Sequence, residues 1–165
     1  MECTLSELSR SLESGMSGMC HDLFLGGLEC NNPKILTTYR DSNFWKGTTT
    51  NPLLLTFFVK DKYTVSYDQK ELLIKLDSLN LSEFIEDNSK MMLTEINDYA
   101  DTFDSDPVNS IYEELYPKRI IISERGKIGI YFGMRTIDED HAFVFVFDKD
   151  LRRFKEAGSE DSIEL

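Results

Sequence analysis

Three carboxylates and one of the two histidines of the chain are consecutive in the segment TIDEDHAFVFVFDKD, as Asp138, Glu139, Asp140 and His141. Carboxylates and imidazoles are common ligands of divalent metal ions and common acids and bases in catalysis. In an extended segment alternate side chains share a face, so Asp138 would lie beside Asp140 and away from His141. A metal or catalytic site would therefore need a further ligand, which His21 could supply. The alternative is an acidic turn that leads into the following apolar strand.

A second set of carboxylates lies between residues 77 and 116, where eleven acidic residues stand against one basic residue. Glu95, Asp98 and Asp101 are three residues apart and would line one side of a helix. Like charges at this spacing repel by about 0.2 to 0.5 kcal/mol per pair, and the helix dipole disfavours acids near the C-terminus. An ordinary solvated face is one interpretation, but such repulsion is also typical of a surface that meets a basic partner. The predicted partner-binding residues are Glu95, Asp98, Asp101, Asp104, Asp106, Glu113, Glu114, Asp138, Glu139 and Asp140.

Composition and motifs disfavour several classes of function. A net charge of −12 argues against nucleic acid or an anionic membrane as the direct partner. The sequence contains no nucleophile elbow, glycine-rich phosphate loop, HExxH or EF-hand pattern, so we predict neither an enzyme nor a bound cofactor or metal. Cys3, Cys20 and Cys30 are odd in number and lack CxxC spacing, which favours reduced thiols. Without a long apolar run or a signal-peptide pattern, the expected location is the cytoplasm.

Hydrophobic periodicity and capping signals predict the helices. A short first helix would follow a capping box at Thr4 and end by Gly15. The others would begin near Asp68, after a cap at Ser82, and at Pro107 with an end at Pro117.

Strands are predicted on both sides of these helices. Residues 21–31 and 34–45 could form a hairpin, and NPLLLTFFVKD reads as a buried strand. The last fifty residues contain four β-rich segments separated by turns, and in AFVFVFD the phenylalanines alternate with valines. We therefore predict one α+β domain over residues 1–165, with a mostly antiparallel sheet, two to three helices packed on it and a C-terminal β-meander. An edge strand of this β-rich tail could pair with a second chain, so the oligomeric state stays open.

The C-terminal block IIISERGKIGIYFGMRTIDEDHAFVFVFDKDLRRFKEAGSED resembles the tail of a group of small bacterial proteins. In that group a β-meander carries an acidic turn with a histidine, then an apolar strand and a closing strand that ends near a glycine. The matching pieces here are Asp138 to His141, Ala142 to Asp148 and Leu151 to Gly158. Several such proteins look like immunity proteins of polymorphic toxin systems, including contact-dependent growth inhibition. The resemblance implies a protein that binds and blocks a cognate toxin domain.

Three hypotheses follow for the function. The first is an immunity protein whose carboxylates bind a basic toxin domain, most simply a nuclease, in place of nucleic-acid phosphates. The second is a metal-dependent enzyme centred on Asp138, Asp140 and His141, with His21 as a possible further ligand. The third is a regulatory adaptor without catalytic chemistry, which differs from the first in the identity of its partner.

Overall fold

The computed structural model describes residues 64–78, 81–123 and 125–165, together with four short strands nearer the N-terminus. The strands are β1 (Glu2–Thr4), β2 (Ser17–Cys20), β3 (Gly27–Asn31), β4 (Leu54–Phe58), β5 (Thr64–Ser66), β6 (Leu115–Ile122), β7 (Ile128–Met134), β8 (Ala142–Phe147) and β9 (Phe154–Ser159). The helices are α1 (Tyr67–Ser78), α2 (Leu81–Asp101), α3 (Ile111–Glu114) and a final 3-10 turn (Glu160–Ser162). No helix in the described ranges has the length and apolar content needed to cross a bilayer.

Seven of these strands form one sheet in the order β2-β3-β4-β6-β7-β8-β9. All neighbours are antiparallel except β4 and β6, which run parallel because the helical segment connects them. Strands β1 and β5 form a separate antiparallel pair. The predicted α+β class, with helices packed on a mostly antiparallel sheet, is confirmed.

The C-terminal meander β6-β7-β8-β9 also confirms the prediction. Alternation places Phe143, Phe145 and Phe147 in the main hydrophobic core, while the intervening Val144 and Val146 are buried on the other face of the sheet. Ring pairs continue across the strands, as between Phe145 and Phe154 of β9, whose centroids are 5.0 Å apart. A strand that is apolar on both faces requires cover on both, and so lies inside the sheet.

Helices α1 and α2 cover the core face of the meander. Leu72 and Leu76, one turn apart, give α1 its buried side. A capping box begins this helix, because Gln69 N–H donates to Ser66 Oγ while Ser66 N–H donates to Gln69 Oε1. Gln69 also donates to the carbonyl of Ile122 at 3.2 Å, which ties the start of α1 to β6. The helix predicted near Asp68 is therefore confirmed.

The third predicted helix is mostly wrong. Residues 105–110 are irregular, and α3 begins only at Ile111, where the Ser110 hydroxyl accepts from Tyr112 N–H. The Asn97 side chain is the cause, because its amide makes two hydrogen bonds with the backbone of Val108 and holds that residue out of a helix. Pro117 lies within β6, where the pairing shifts between Pro117 and Arg119, a place that tolerates a residue without an N–H.

Other boundaries differ, or fall on parts of the chain that are not described. Helix α2 begins at Leu81, one residue before the predicted cap at Ser82. The predicted hairpin would pair residues 21–31 with residues 34–45. In the sheet, β3 of the first segment pairs instead with β2 and β4. The strand predicted at residues 34–45 and the helix predicted after Thr4 lie outside the described residues.

Candidate functional site

The acids of α2 stand on the side of the helix that faces away from the sheet. Met92, Ile96 and Ala100 are buried on the core side, whereas Asp98 and Asp101 are exposed. Glu95 is half-buried beside them. Within the described part of the chain, no lysine or arginine approaches these carboxylates to ion-pairing distance. The predicted line of carboxylates therefore exists as an exposed negative strip.

The strip continues past the end of α2 because of how the helix terminates. Ser105 N–H donates to the Ala100 carbonyl at 3.1 Å and Asp104 N–H donates to that of Asp101 at 3.3 Å. This pair of bonds is a Schellman motif, which requires a left-handed residue at its bend. Asp104 occupies that position with a φ of 52°. The chain thus places an exposed carboxylate where glycine is the usual residue.

The loop after α2 is held against the helix instead of projecting into solvent. The Asn97 side chain accepts from Val108 N–H at 2.7 Å and donates to the Val108 carbonyl at 3.0 Å. Eleven residues further back along α2, Glu86 accepts a short hydrogen bond from the Tyr112 hydroxyl. Residues 108–112 therefore run back alongside α2, and Asp106 stays exposed at the start of this segment.

The two neighbouring glutamates of α3 have different roles. Glu113 is exposed, whereas Glu114 is only 3% exposed. The carboxylate of Glu114 accepts from Thr136 N–H at 2.9 Å, from the Thr136 hydroxyl at 2.7 Å and from Ile137 N–H at 2.8 Å. These bonds satisfy a buried charge and position the segment that leads to Asp138. Glu114 acts inside the protein and does not face a partner.

The structure corrects the extended geometry predicted for residues 138–141. They form a turn in which Asp138 Oδ1 accepts from Asp140 N–H at 3.2 Å. Such an Asx turn folds the backbone back, so His141 Nδ1 lies 3.0 Å from Asp138 Oδ2 and the two side chains meet. The prediction that the segment is a charged turn before a core strand is confirmed, because β8 begins at Ala142. Glu139 and Asp140 are exposed at its tip.

Tyr99 joins the acidic turn to α2. Its hydroxyl donates to Asp138 Oδ2 at 3.0 Å, and its ring packs on Phe143 with centroids 5.2 Å apart. The side chain of Asp138 is only 9% exposed as a result. The turn therefore lies at the C-terminal end of α2, and two acidic segments forty residues apart in sequence come together. Nothing in the sequence pattern identified this connection.

Of the ten predicted partner-binding residues, Glu114 and Asp138 make internal contacts. We use the name acidic surface for the other eight, whose carboxylates are exposed or half-exposed. They are Glu95, Asp98, Asp101, Asp104, Asp106, Glu113, Glu139 and Asp140.

The pKa values of three groups around the acidic turn, Tyr99, Asp138 and His141, are shifted. Burial raises the pKa of the Tyr99 hydroxyl, and its bond to Asp138 adds to the effect. Burial also opposes ionisation of Asp138, but the hydrogen bonds from His141, Tyr99 and Asp140 N–H outweigh it and lower the pKa of that carboxyl. The bond to Asp138 raises the pKa of His141. Asp138 and His141 are therefore stabilised as a charged pair.

Sequence reasoning missed two further neighbours of His141. Asp161 Oδ2 lies 3.2 Å from His141 Nε2, and Glu160 Oε1 accepts from Ala142 N–H at 3.1 Å. Both acids belong to the final 3-10 turn, which follows β9 and so returns to the start of β8. The antiparallel pairing of β8 with β9 could have predicted these neighbours. It places residue 159 opposite residue 143, so the next residues of the chain lie near His141.

The residues of the metal hypothesis are only partly brought together. Asp138 and His141 meet, but Asp140 joins them through its backbone N–H alone. His21 lies outside the described residues. Among the residues that the structure describes, no three histidine, cysteine, aspartate or glutamate side chains are arranged to hold a metal ion.

No protein-family model, curated protein or solved structure matches this chain.

Proposed function

We propose that this protein is an immunity protein that binds a basic toxin domain through the acidic surface and blocks its active site. One observation carries the proposal. Exposed carboxylates at the C-terminal end of α2 have no cationic neighbour in the described structure, and the Tyr99–Asp138 bond places the acidic turn beside them. A nuclease is the toxin class that best fits, because its active site is built to receive phosphate oxygens and carboxylates offer the same charge.

Folding stability does not account for this concentration of charge. Asp98 and Asp101 lie in the last turns of α2, where the helix dipole already presents negative charge. The last turn of α2 contains no basic residue that could offset this negative charge. Asp104 adds a carboxylate at a left-handed position. Because these carboxylates lower local stability, their presence on the surface indicates a role in recognition.

An exposed aromatic side chain lies among the carboxylates of the acidic surface. Phe103, immediately after α2, is 48% exposed and packs edge-on against Tyr99 with centroids 5.1 Å apart. Carboxylates precede and follow it at Asp101 and Asp104. Interfaces commonly combine a central aromatic side chain with a charged periphery, in which the aromatic residue slows dissociation and the charges speed association. Phe103 would supply the first contribution and the surrounding acids the second.

The proposal is tested with the purified basic domain encoded by the reading frame next to the gene of this chain. Association and dissociation rates would be measured at several salt concentrations for the wild type and for the double variant Asp98→Lys with Asp101→Lys. We expect the variant to associate at least about tenfold more slowly and the wild-type rate to fall with salt, because steering by charge acts on encounter.

The matched control is Asp148→Lys with Asp150→Lys, which makes the same change in net charge at exposed positions in the turn between β8 and β9. If the position of the charge matters, this control associates within about threefold of the wild type. Equal losses in the two double variants would reduce the effect to net charge and contradict the proposed surface. Absence of binding by the neighbouring domain would overturn the function itself.

A further inference from the structure

The last six residues fold back over the face of the sheet opposite α1 and α2. After the 3-10 turn, Leu165 lies against β7 at Gly129, where an added Cβ would stand 2.9 Å from Leu165 Cδ1. Ile163 lies similarly against Gly158, with its Cδ1 atom 3.3 Å from the position of a Cβ. Glycine at these positions leaves room for the two side chains. We call residues 160–165 the C-terminal segment.

Two polar contacts attach the C-terminal segment to the start of β8. Glu160 accepts the hydrogen bond from Ala142 N–H, and Asp161 lies 3.2 Å from Nε2 of His141. The other nitrogen of that imidazole, Nδ1, is 3.0 Å from Asp138. His141 therefore stands between two carboxylates, one from its own turn and one from the C-terminal segment.

Every charged group that faces this imidazole is acidic in the described structure. Asp138 comes from its own turn, and Glu160 and Asp161 come from the C-terminal segment. From α2 the nearby polar group is the Tyr99 hydroxyl, which donates to Asp138. The imidazole is thus the one group here that can supply positive charge.

The number of donors on the imidazole decides what happens when it loses its proton. Protonated histidine has two N–H groups and can donate to both carboxylates, whereas neutral histidine has one N–H and one lone pair. A lone pair that faces a carboxylate repels it, so neutral His141 can keep only one of its two contacts. Asp138 is nearly buried and holds two further hydrogen bonds, while the Asp161 side chain is 74% exposed. Asp161 is therefore the partner that is lost.

We propose that His141 is a pH-operated clasp for the C-terminal segment. Protonated His141 bridges Asp138 and Asp161 and holds the segment on the sheet, and deprotonation releases Asp161 so that Leu165 leaves β7. The released state uncovers the strip of β7 around Gly129 and removes the positive charge of the imidazole from beside the acidic turn. Because contact with Asp138 raises the pKa of His141 above its ordinary value of 6.5, the clasp stays closed to a higher pH than a solvated histidine would allow.

Nuclear magnetic resonance on the full chain tests the clasp directly. The readout is the nuclear Overhauser effect between the Leu165 methyl groups and the Gly129 α protons, followed from about pH 5.5 to pH 9.5 together with the imidazole shifts of His141. We expect a strong effect at low pH that loses at least half its intensity as pH rises, with a midpoint equal to the measured pKa of His141.

Two variants of the C-terminal segment separate the clasp from general effects of pH and charge. Asp161→Ala removes the contact with His141, so the nuclear Overhauser effect between Leu165 and Gly129 should be weak at every pH. Glu164→Ala makes the same charge change at an exposed position in the same segment. Its nuclear Overhauser effect should fall with rising pH as in the wild type. A wild-type signal that does not change with pH, or an Asp161→Ala variant that still titrates, would overturn the clasp. Either result would leave the proposed partner binding to be judged by its own kinetic test.

Discussion

The hydroxyl of Tyr99 donates a 3.0 Å hydrogen bond to Oδ2 of Asp138. The same ring packs on Phe143 of β8 and on exposed Phe103, so it reaches from the core to the surface. Through this one side chain the end of α2, the turn before β8 and Phe103 become a single unit. The shape of the proposed interface depends on that connection.

Tyr99→Phe should test the connection. Removal of the hydroxyl deletes one bond to a charged acceptor that keeps two other donors, so we expect a loss of about 1 kcal/mol in the free energy of unfolding. Chemical denaturation measures it. Tyr116→Phe is the control, because the hydroxyl of half-buried Tyr116 has no hydrogen-bond partner within the described residues, and it should change stability by less than about 0.5 kcal/mol. Equal losses would argue against a specific role for the Tyr99 bond.

Glu113→Gln and Glu114→Gln form a matched pair at adjacent positions. The carboxylate of Glu114 accepts three hydrogen bonds while buried, and an amide presents an NH₂ group to one of those donors. We expect Glu114→Gln to lower the free energy of unfolding by about 2 kcal/mol. Glu113 is exposed, and its variant should stay within about 0.5 kcal/mol of the wild type. Thermal or urea unfolding distinguishes them, and similar effects at both positions would contradict the buried role of Glu114.

Substitutions of Asp104 should separate its effect on folding from its effect on binding. Because its φ is 52°, Asp104→Gly should stabilise the protein by about 0.5 to 1 kcal/mol, and Asp104→Ala should destabilise it by a similar amount. Both variants remove the carboxylate, so both should weaken association with the basic partner. Unfolding free energies and association rates of the two variants provide the measurements. A glycine variant that binds as fast as the wild type would remove Asp104 from the acidic surface.

Asp138→Asn should reveal a stability contribution that depends on pH. The pKa of Asp138 is lowered from its ordinary value of 3.8, so its ionised form stabilises the fold at pH values above 3.8. The wild type should therefore exceed the variant in unfolding free energy near neutral pH, and the difference should shrink as pH falls through the lowered pKa. The control is Asp140→Asn, which removes an exposed carboxylate two residues away and should stay within about 0.5 kcal/mol of the wild type near neutral pH. A difference for Asp138→Asn that stays constant between about pH 6 and pH 2 would contradict the lowered pKa.

Parts of the fold followed directly from the sequence because their signals are local. The alternation of Phe143 to Phe147 is set by the two-residue repeat of a strand, and the leucines of α1 by the repeat of a helix. The concentration of acidic residues between positions 77 and 116 is a property of the sequence itself.

Only the tertiary structure decided which of those acids face solvent and which neighbours they have. Asn97 holds Val108 by contacts eleven residues away and prevents the predicted third helix from starting at Pro107. Glu114 looks like Glu113 in the sequence, yet packing against Thr136 and Ile137 buries it. His141 meets Asp161 because β8 pairs with β9. Each of these outcomes depends on contacts between residues distant in the chain, which neither periodicity nor composition encodes.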